Sequence, residues 1–319
     1  MNILITGGAG YIGSHVAKRV AQAGHNPVTF DNLSTGHASA VKWGPLVEND
    51  LLSQNAIRSA LENYRIDAVI HLAASSDVGA SMKSPGVYFR NNVVNTINLL
   101  DAMVDVEVRS IVFSSSAAVY GNRFDTPIYE DYPTNPTSPY GESKKQCEAI
   151  LAWYGRAHGI GSISLRYFNA AGSDPDGELG EEHHPETHLI PLALDASFEK
   201  PLTIFGTDYA TPDGTAIRDY VHVADLAEAH VLALGSLDRF QGPLNLGTGQ
   251  GHSVLDVCAA VRRATGRPVP AIRAPNRPGD PPSLVAAADL AERVLGWVPQ
   301  FPSLDVIVQH AFQWKVGLK

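Results

Sequence analysis

The first stretch of the chain limits the fold most. Asn2-Ile3-Leu4-Ile5-Thr6 reads as a buried parallel strand, because its core is an unbroken apolar run. It enters Gly7-Gly8-Ala9-Gly10-Tyr11-Ile12-Gly13 and then a helical stretch from Ser14 to Ala23. In Gly8-x-Gly10-x-x-Gly13 the glycines permit a tight turn and let the backbone approach a pyrophosphate. The helix N-terminus offers N–H groups and positive potential to the phosphates. The second strand, Val28-Thr29-Phe30-Asp31, ends on a carboxylate 18 positions after Gly13. An acid there can bond both hydroxyls of an adenosine ribose and repels a 2′-phosphate, which favours NAD over NADP.

Strand and helix patterns then alternate. Strands are expected at Asp67–Ala73, Arg109–Ser114 and Ser162–Leu165, and helices at Val87–Met103 and Ser143–His158. The fold class is α/β, a Rossmann-type doubly wound parallel sheet with a second, smaller α/β lobe. Residues 1–168 are expected to form the dinucleotide-binding domain and 169–319 the substrate lobe, with the segment from about 217 to 246 able to return to the first sheet. The second lobe should hold short helices over Pro191–Phe198 and Asp225–Leu237, a strand over Pro243–Leu246, a helix capped by Ser253 and a last helix from Leu304 to Trp314.

Composition narrows the function. A formal net charge of −9, with no cluster of Lys and Arg, offers nothing to a nucleic-acid backbone. An anionic ligand must then be met by local arginines and helix N-termini. Two cysteines, Cys147 and Cys258, make no disulfide framework or thiolate metal site and fit a reducing cytoplasm. No signal segment or membrane-spanning run is expected. His183, His184 and His188 lie close in sequence, but no matching carboxylate or cysteine geometry can be read from it, so no metal is expected.

The chemistry is expected at Tyr140-Gly141-Glu142-Ser143-Lys144, since a Tyr and a Lys four apart share one helix face. A phenol has a pKa of about 10 and is a poor base at neutral pH. An ammonium about 4 Å away attracts the phenolate by roughly 4 kcal/mol at an effective dielectric near 20. That lowers the phenol by roughly 3 units at most, toward neutrality. Such a tyrosine can take and return a proton at a sugar hydroxyl.

Gly7–Gly13, Phe113-Ser114-Ser115-Ser116-Ala117-Ala118-Val119-Tyr120-Gly121, Ser138-Pro139-Tyr140-Gly141-Glu142-Ser143-Lys144 and Arg166-Tyr167-Phe168-Asn169 together resemble the extended short-chain dehydrogenase/reductases, most of all the UDP-galactose 4-epimerase family. The likeness continues through Thr203–Tyr209, Asp213–Leu226 and Asn276-Arg277-Pro278-Gly279-Asp280, and so covers nearly the whole chain. It implies NAD-dependent epimerisation at C4 of a UDP-hexose through a 4-keto sugar. Tyr140 is then the proton acceptor and donor, Lys144 holds the nicotinamide ribose, and Ser116 bonds the 4-oxygen. The resemblance places Gly7, Gly10, Tyr11, Ile12, Gly13, Asp31, Asn32, Asp50, Leu51, Leu72, Ala73, Ala74, Asn91, Ser114, Tyr140, Lys144 and Tyr167 on the cofactor. It gives Arg218 and Arg277 to the diphosphate, Asp280 to the uridine ribose and Phe205 to the uracil. Asn169, His188 and Leu189 line the diphosphate path, and Thr203 joins the substrate contacts. It also implies a homodimer formed through the Val87–Met103 and Ser143–His158 helices.

The chain departs from the family at three places. Ser76 stands where several epimerases carry a lysine near the pyrophosphate, and Ala118 where a threonine often helps hold the sugar. Leu284 occupies the gate position beside the hexose C2 substituent, between the bulky tyrosine that excludes N-acetyl sugars and the small residues that admit them. UDP-xylose/arabinose or N-acetylhexosamine substrates therefore stay open, as does a 4-reductase or dehydrogenase. A 4,6-dehydratase is disfavoured, because Ala117 and Ala118 cannot supply its added acid and base. A non-catalytic NAD sensor would need none of Ser116, Tyr140 and Lys144.

Overall fold

The computed structural model describes residues 1–122, 126–277 and 280–317. A seven-stranded sheet carries the molecule. Its strands are β1 (Asn2–Thr6), β2 (Asn26–Asp31), β3 (Leu46–Glu48), β4 (Ala68–His71), β5 (Ser110–Ser116), β6 (Gly161–Tyr167) and a late strand, Gly242–Leu246, in the order β3-β2-β1-β4-β5-β6 and then the late strand. Every neighbouring pair in it is parallel. This is the Rossmann-type arrangement.

Alternation along each strand makes both faces apolar. Ile3 and Ile5 point to one side, where Val16 and Val20 of α1 (Tyr11–Gln22) and the helix Val223–Leu234 close the core with Trp297. Leu4 points to the other, among Val28, Val69, Ile111 and Phe113, under α2 (Gln54–Asn63), the helix Asn95–Asp105 and the helix Pro139–His158.

Two expectations shift. The expected helix over Val87–Met103 is three pieces: α-helical Pro85–Tyr88, a π-helical stretch Phe89–Val94, and α-helical Asn95–Asp105. The helix expected from Ser143 begins at Pro139, capped by the Ser138 hydroxyl, which accepts from the Gly141 N–H at 3.1 Å. Proline at a first helical position has no N–H to lose there.

The chain after Asn169 builds smaller sheets. Ile217–His222 pairs in parallel with Asn169–Ala171 and with Ser283–Leu284, and antiparallel with Gly251–Ser253. Leu202–Phe205 pairs with Ala271–Ala274. Helices Leu189–Asp195, Val254–Thr265 and Leu304–Gly317 cover them through Ile190, Val257, Val261, Ile307 and Val308. Val223–Leu234 and Gly242–Leu246 belong to the large sheet's layers, so the chain passes back after its first excursion. A buried carboxylate stitches the smaller sheet. Asp219 accepts from Thr248 N at 2.8 Å, Gly249 N at 3.0 Å and Ala286 N at 3.1 Å. No helix among the described residues is long and apolar enough to cross a membrane.

Candidate active site

The glycine turn is a cradle with no room for side chains. A Cβ on Gly13 would stand 2.1 Å from the Gly7 carbonyl oxygen, and one on Gly8 2.7 Å from Thr29 Oγ1. Gly7 itself has φ +73°, in the left-handed region. α1 starts on Gly10 with no side-chain cap, which leaves its first N–H groups to a ligand. Beside them, the Asp31 carboxylate accepts from Ala9 N at 3.0 Å and Leu33 N at 2.9 Å. Asn32 donates to Asp50 at 2.7 Å, so these two stand together. Leu51 is buried in the core under the sheet. A glycine-walled turn, an open helix N-terminus and a fixed carboxylate fit a dinucleotide.

Across the sheet's carboxyl edge, Leu72 N donates to Thr6 O at 3.0 Å and Ala73 N to Thr6 Oγ1 at 3.4 Å, with Ala74 next in the chain. Asn91 Nδ2 donates to Ser75 Oγ at 3.1 Å. Its neighbour Asn92 is buried, donates to Ser75 O at 3.0 Å and to Ser143 Oγ at 2.9 Å, and accepts from Ser75 N at 2.8 Å. The π-helical stretch carries both asparagines to this edge. Sequence reasoning missed Asn92, because helical periodicity carries no sign of the wider turn.

Ser116 closes β5 and leads into a single 3-10 turn, Ala117–Tyr120. Gly141 lets the Pro139–His158 helix come against that turn, since a Cβ there would meet Ala118 O at 2.5 Å. The Tyr140 hydroxyl is thereby brought near enough to Ser116 for that side chain to favour its ionisation. One turn on, Lys144 Nζ donates to Ser114 O at 2.8 Å and lies 4.8 Å from the centre of the Phe113 ring. Ser114 Oγ bonds the Tyr167 hydroxyl. Ser116, Tyr140, Lys144, Ser114 and Tyr167 thus meet at one strand end.

The electrostatics correct one expectation. Burial raises the Tyr140 phenol, and the Ser116 side chain only partly offsets it. Lys144 does not bring it toward neutrality. Its ammonium is turned to the Ser114 carbonyl, and burial lowers it to about 8 against the pull of Cys147 and Glu148. Sharing a helix face puts both residues at the strand end but does not aim one charge at the other.

A second group forms where the substrate contacts were expected. Arg218 donates to Ile217 O at 2.7 Å and Pro281 O at 3.0 Å, and pairs with Asp280. The Arg277 guanidinium lies 4.1 Å from the Phe205 ring centre. Pro278 and Gly279, quoted between them in the sequence, lie outside the described residues. Thr203 sits in the same short strand as Phe205, paired with Ile272. Tyr209 was missed. Its hydroxyl is buried with no hydrogen-bond partner among the described residues and feels Asp280, Arg218 and Arg277.

Asn169 pairs with Tyr220 in the small sheet, and Leu189 opens the helix that His188 precedes. His188 is held elsewhere than the arginine group: its Nδ1 lies 2.5 Å from Glu181 and 3.3 Å from Glu186. Those carboxylates outweigh its desolvation and raise it to about 10. His183 joins Glu181 at 3.0 Å and sets its ring edge-on to Tyr11, with centroids 6.2 Å apart. Tyr11 donates to Gly172 O at 2.6 Å. The carboxylate partners that could not be read from the sequence are therefore present, while His184 is not among them. Leu284 packs on Ala117, Val119 and Tyr120, beside the turn that follows Ser116, and Ser76 is exposed.

A family model described as the NAD dependent epimerase/dehydratase family matches residues 3–247. The UDP-glucose 4-epimerase of Halalkalibacterium halodurans is 47% identical over 318 residues, which is 98% of this chain and 95% of that one. The crystal structure of UDP-glucose 4-epimerase from Brucella ovis in complex with NAD superposes with a TM-score of 0.94 at 50% identity, covering 98% of this chain and 97% of the other. A UDP-glucose-4-epimerase from Stenotrophomonas maltophila, with bound NAD and formylated UDP-arabinopyranose, gives 0.95 at 39% identity, covering 100% and 98%. On a match that spans most of its length and on full-length relatives near half identical, the chain belongs to the NAD dependent epimerase/dehydratase family.

Proposed function

We propose that the protein is an NAD-dependent UDP-hexose 4-epimerase that interconverts UDP-glucose and UDP-galactose. The carrying observation is the cluster at the end of β5: Tyr140 next to Ser116, with Lys144 anchored on the Ser114 carbonyl, beside a cradle that fits a dinucleotide. Full-length relatives named UDP-glucose 4-epimerase support the same reading.

Gly7, Gly10, Tyr11, Ile12 and Gly13 would hold NAD with Asp31, Asn32, Asp50, Leu51 and the edge residues Leu72, Ala73, Ala74, Asn91, Ser114 and Tyr167. Bound there, NAD supplies a reversible two-electron acceptor at the sugar C4. Tyr140 takes the proton of the 4-hydroxyl, and Ser116 hydrogen-bonds the oxygen as charge gathers on it. The 4-keto sugar turns about its diphosphate linkage, so that the hydride would return to the opposite face of C4, and Tyr140 gives the proton back to the 4-oxygen. Arg218 and Arg277 hold the diphosphate, where planar forks suit phosphate oxygens. Asp280 and Phe205 receive the uridine, Thr203 joins the substrate contacts, and Asn169, His188 and Leu189 line the diphosphate path. Asp280 exchanges part of its bond to Arg218 for the ribose.

Residues 1–168 form the cofactor domain in this reading, joined by Val223–Leu234 and Gly242–Leu246, and the rest forms the substrate lobe. Two free cysteines support a reducing, cytoplasmic setting. Exposed apolar residues on the edge helices support a homodimer. The test is to incubate purified protein, with no added cofactor, with UDP-glucose, UDP-galactose, UDP-xylose and UDP-N-acetylglucosamine, and read the C4 epimers by NMR. Epimerisation of the UDP-hexoses is expected. Net oxidation or reduction of sugar, with stoichiometric use of added cofactor, would make it a dehydrogenase or reductase.

A further inference from the structure

We propose that Glu181, His183, Glu186 and His188 form a binding site for one divalent transition-metal ion of the zinc class. Each offers one donor atom, and the four atoms lie within 4.8 Å of one another. Tetrahedral zinc, with bonds of about 2.0–2.1 Å, needs its donors roughly 3.3 Å apart. The pairs here lie at or inside that separation, so an ion would spread the donors slightly: His183 Nδ1 and His188 Nδ1 lie 3.0 and 2.5 Å from Glu181 Oε1, and His188 Nδ1 lies 3.3 Å from Glu186 Oε1. Two imidazoles and two carboxylates suit zinc or cobalt better than magnesium or calcium, which prefer oxygen alone. With neutral imidazoles the donors carry two negative charges, which a dication cancels.

The surroundings also suit an ion. Glu181 is 7% exposed and His188 51%, so the cluster has a protein floor and an open side for entry. The Glu186 carboxylate is already aimed, because Oε1 accepts from the N–H groups of Thr187 and His188 at 2.7 Å each. A simple ion pair would need one imidazole; here two rings direct Nδ1 at the same oxygen. The contrast within the molecule is the Asp174, Asp176 and Glu178 group, where the Lys18 ammonium fills the centre at 2.7–2.9 Å and leaves no place for a metal. A bound ion would fasten the 181–188 loop against Tyr11, at the start of α1.

The experiment uses the full-length, untagged protein with its own cofactor, stripped of metal by a chelator and dialysed. Zinc chloride is titrated by calorimetry, bound metal is counted by elemental analysis, and cobalt chloride reports geometry through its visible bands. One equivalent per chain with an intense tetrahedral cobalt spectrum is expected. Both should be lost in His183→Gln and in Glu181→Gln and kept in His184→Gln, each variant first matched to wild type in circular dichroism. Should Glu181→Gln fail to fold, His183→Gln decides alone. No uptake by wild type, or equal binding by wild type and His183→Gln, overturns the site and leaves an ion pair between His188 and its carboxylates.

Discussion

At the residue scale, the site depends on groups taken out of water. Tyr140→Phe removes the only proton-transferring atom of that side chain and keeps its ring. The variant should retain NAD and fold while losing at least about a hundredfold in turnover, as is typical for deleting an acid/base group. A rate near wild type would remove the mechanism. Lys144 yields a thermodynamic prediction. Its ammonium falls from 10.5 to about 8 through burial, a penalty of roughly 3 kcal/mol when charged. Below pH 8 folded and unfolded states both hold the proton, and the penalty is constant. Between pH 8 and 10.5 the unfolded chain binds the proton that the folded one releases, so stability rises with pH in that window. Lys144→Met is free of the penalty but orphans the Ser114 carbonyl bond, which offsets about 1–3 kcal/mol. It should be slightly more stable than wild type at pH 7, with the difference moving toward wild type by pH 10. Paired urea melts across that range check it, and a pH-independent difference would show that the lysine is not held charged in the site.

At the scale of elements, local rules and long-range pairing part company. β1, the glycine turn and α1 were legible because each is written in adjacent residues, as was the cap on Val254–Thr265. There the Ser253 hydroxyl accepts from Asp256 N at 3.0 Å, while Asp256 accepts from Ser253 N at 2.9 Å. Ser253→Ala should lower stability by about 1 kcal/mol, measured as a shifted denaturant midpoint with an unchanged slope. The small sheets were not legible, because Ser283 pairs with Ile217 and Gly251 with Asp219, and no local pattern announces a partner so far along the chain. For the same reason Arg218 and Asp280 could be named singly but not seen as an ion pair. The Tyr140–Lys144 spacing put both residues at one strand end, yet the ammonium meets the Ser114 carbonyl and not the phenol, since rotamers and burial decide where an ammonium points. Gly13→Ala tests the cradle itself. Its methyl would collide with Gly7 O at 2.1 Å, and relieving that by shifting backbone should cost about 1–3 kcal/mol and splay the turn. Purified variant should show loss of bound dinucleotide absorbance with far-ultraviolet dichroism close to wild type; full cofactor retention would mean the turn is not the phosphate cradle.

At the scale of the whole molecule, several large apolar side chains stay exposed on the helices around the site. Val78, Met82, Val87 and Val94 are exposed on the helical segments leading into Asn95–Asp105, and Trp153 is 65% exposed on Pro139–His158. These segments pack on one another. The Arg156 guanidinium lies over the Trp153 ring, 4.8 Å from its centre. Single exposed apolar residues are ordinary, but several on neighbouring helices, with a tryptophan among them, are what the proposed homodimer would cover. An isologous twofold contact would let each patch cover its own copy. The helices concerned also bear Asn92, Tyr140 and Lys144, so association would brace the elements that hold the site. Sedimentation velocity should therefore give a dimer at micromolar concentration. Trp153→Glu, which replaces the large exposed indole with a charge, should shift it to monomer and lower the melting temperature without unfolding it. A wild-type monomer over a wide concentration range, or a variant that dimerises as well as wild type, would remove this face as the interface.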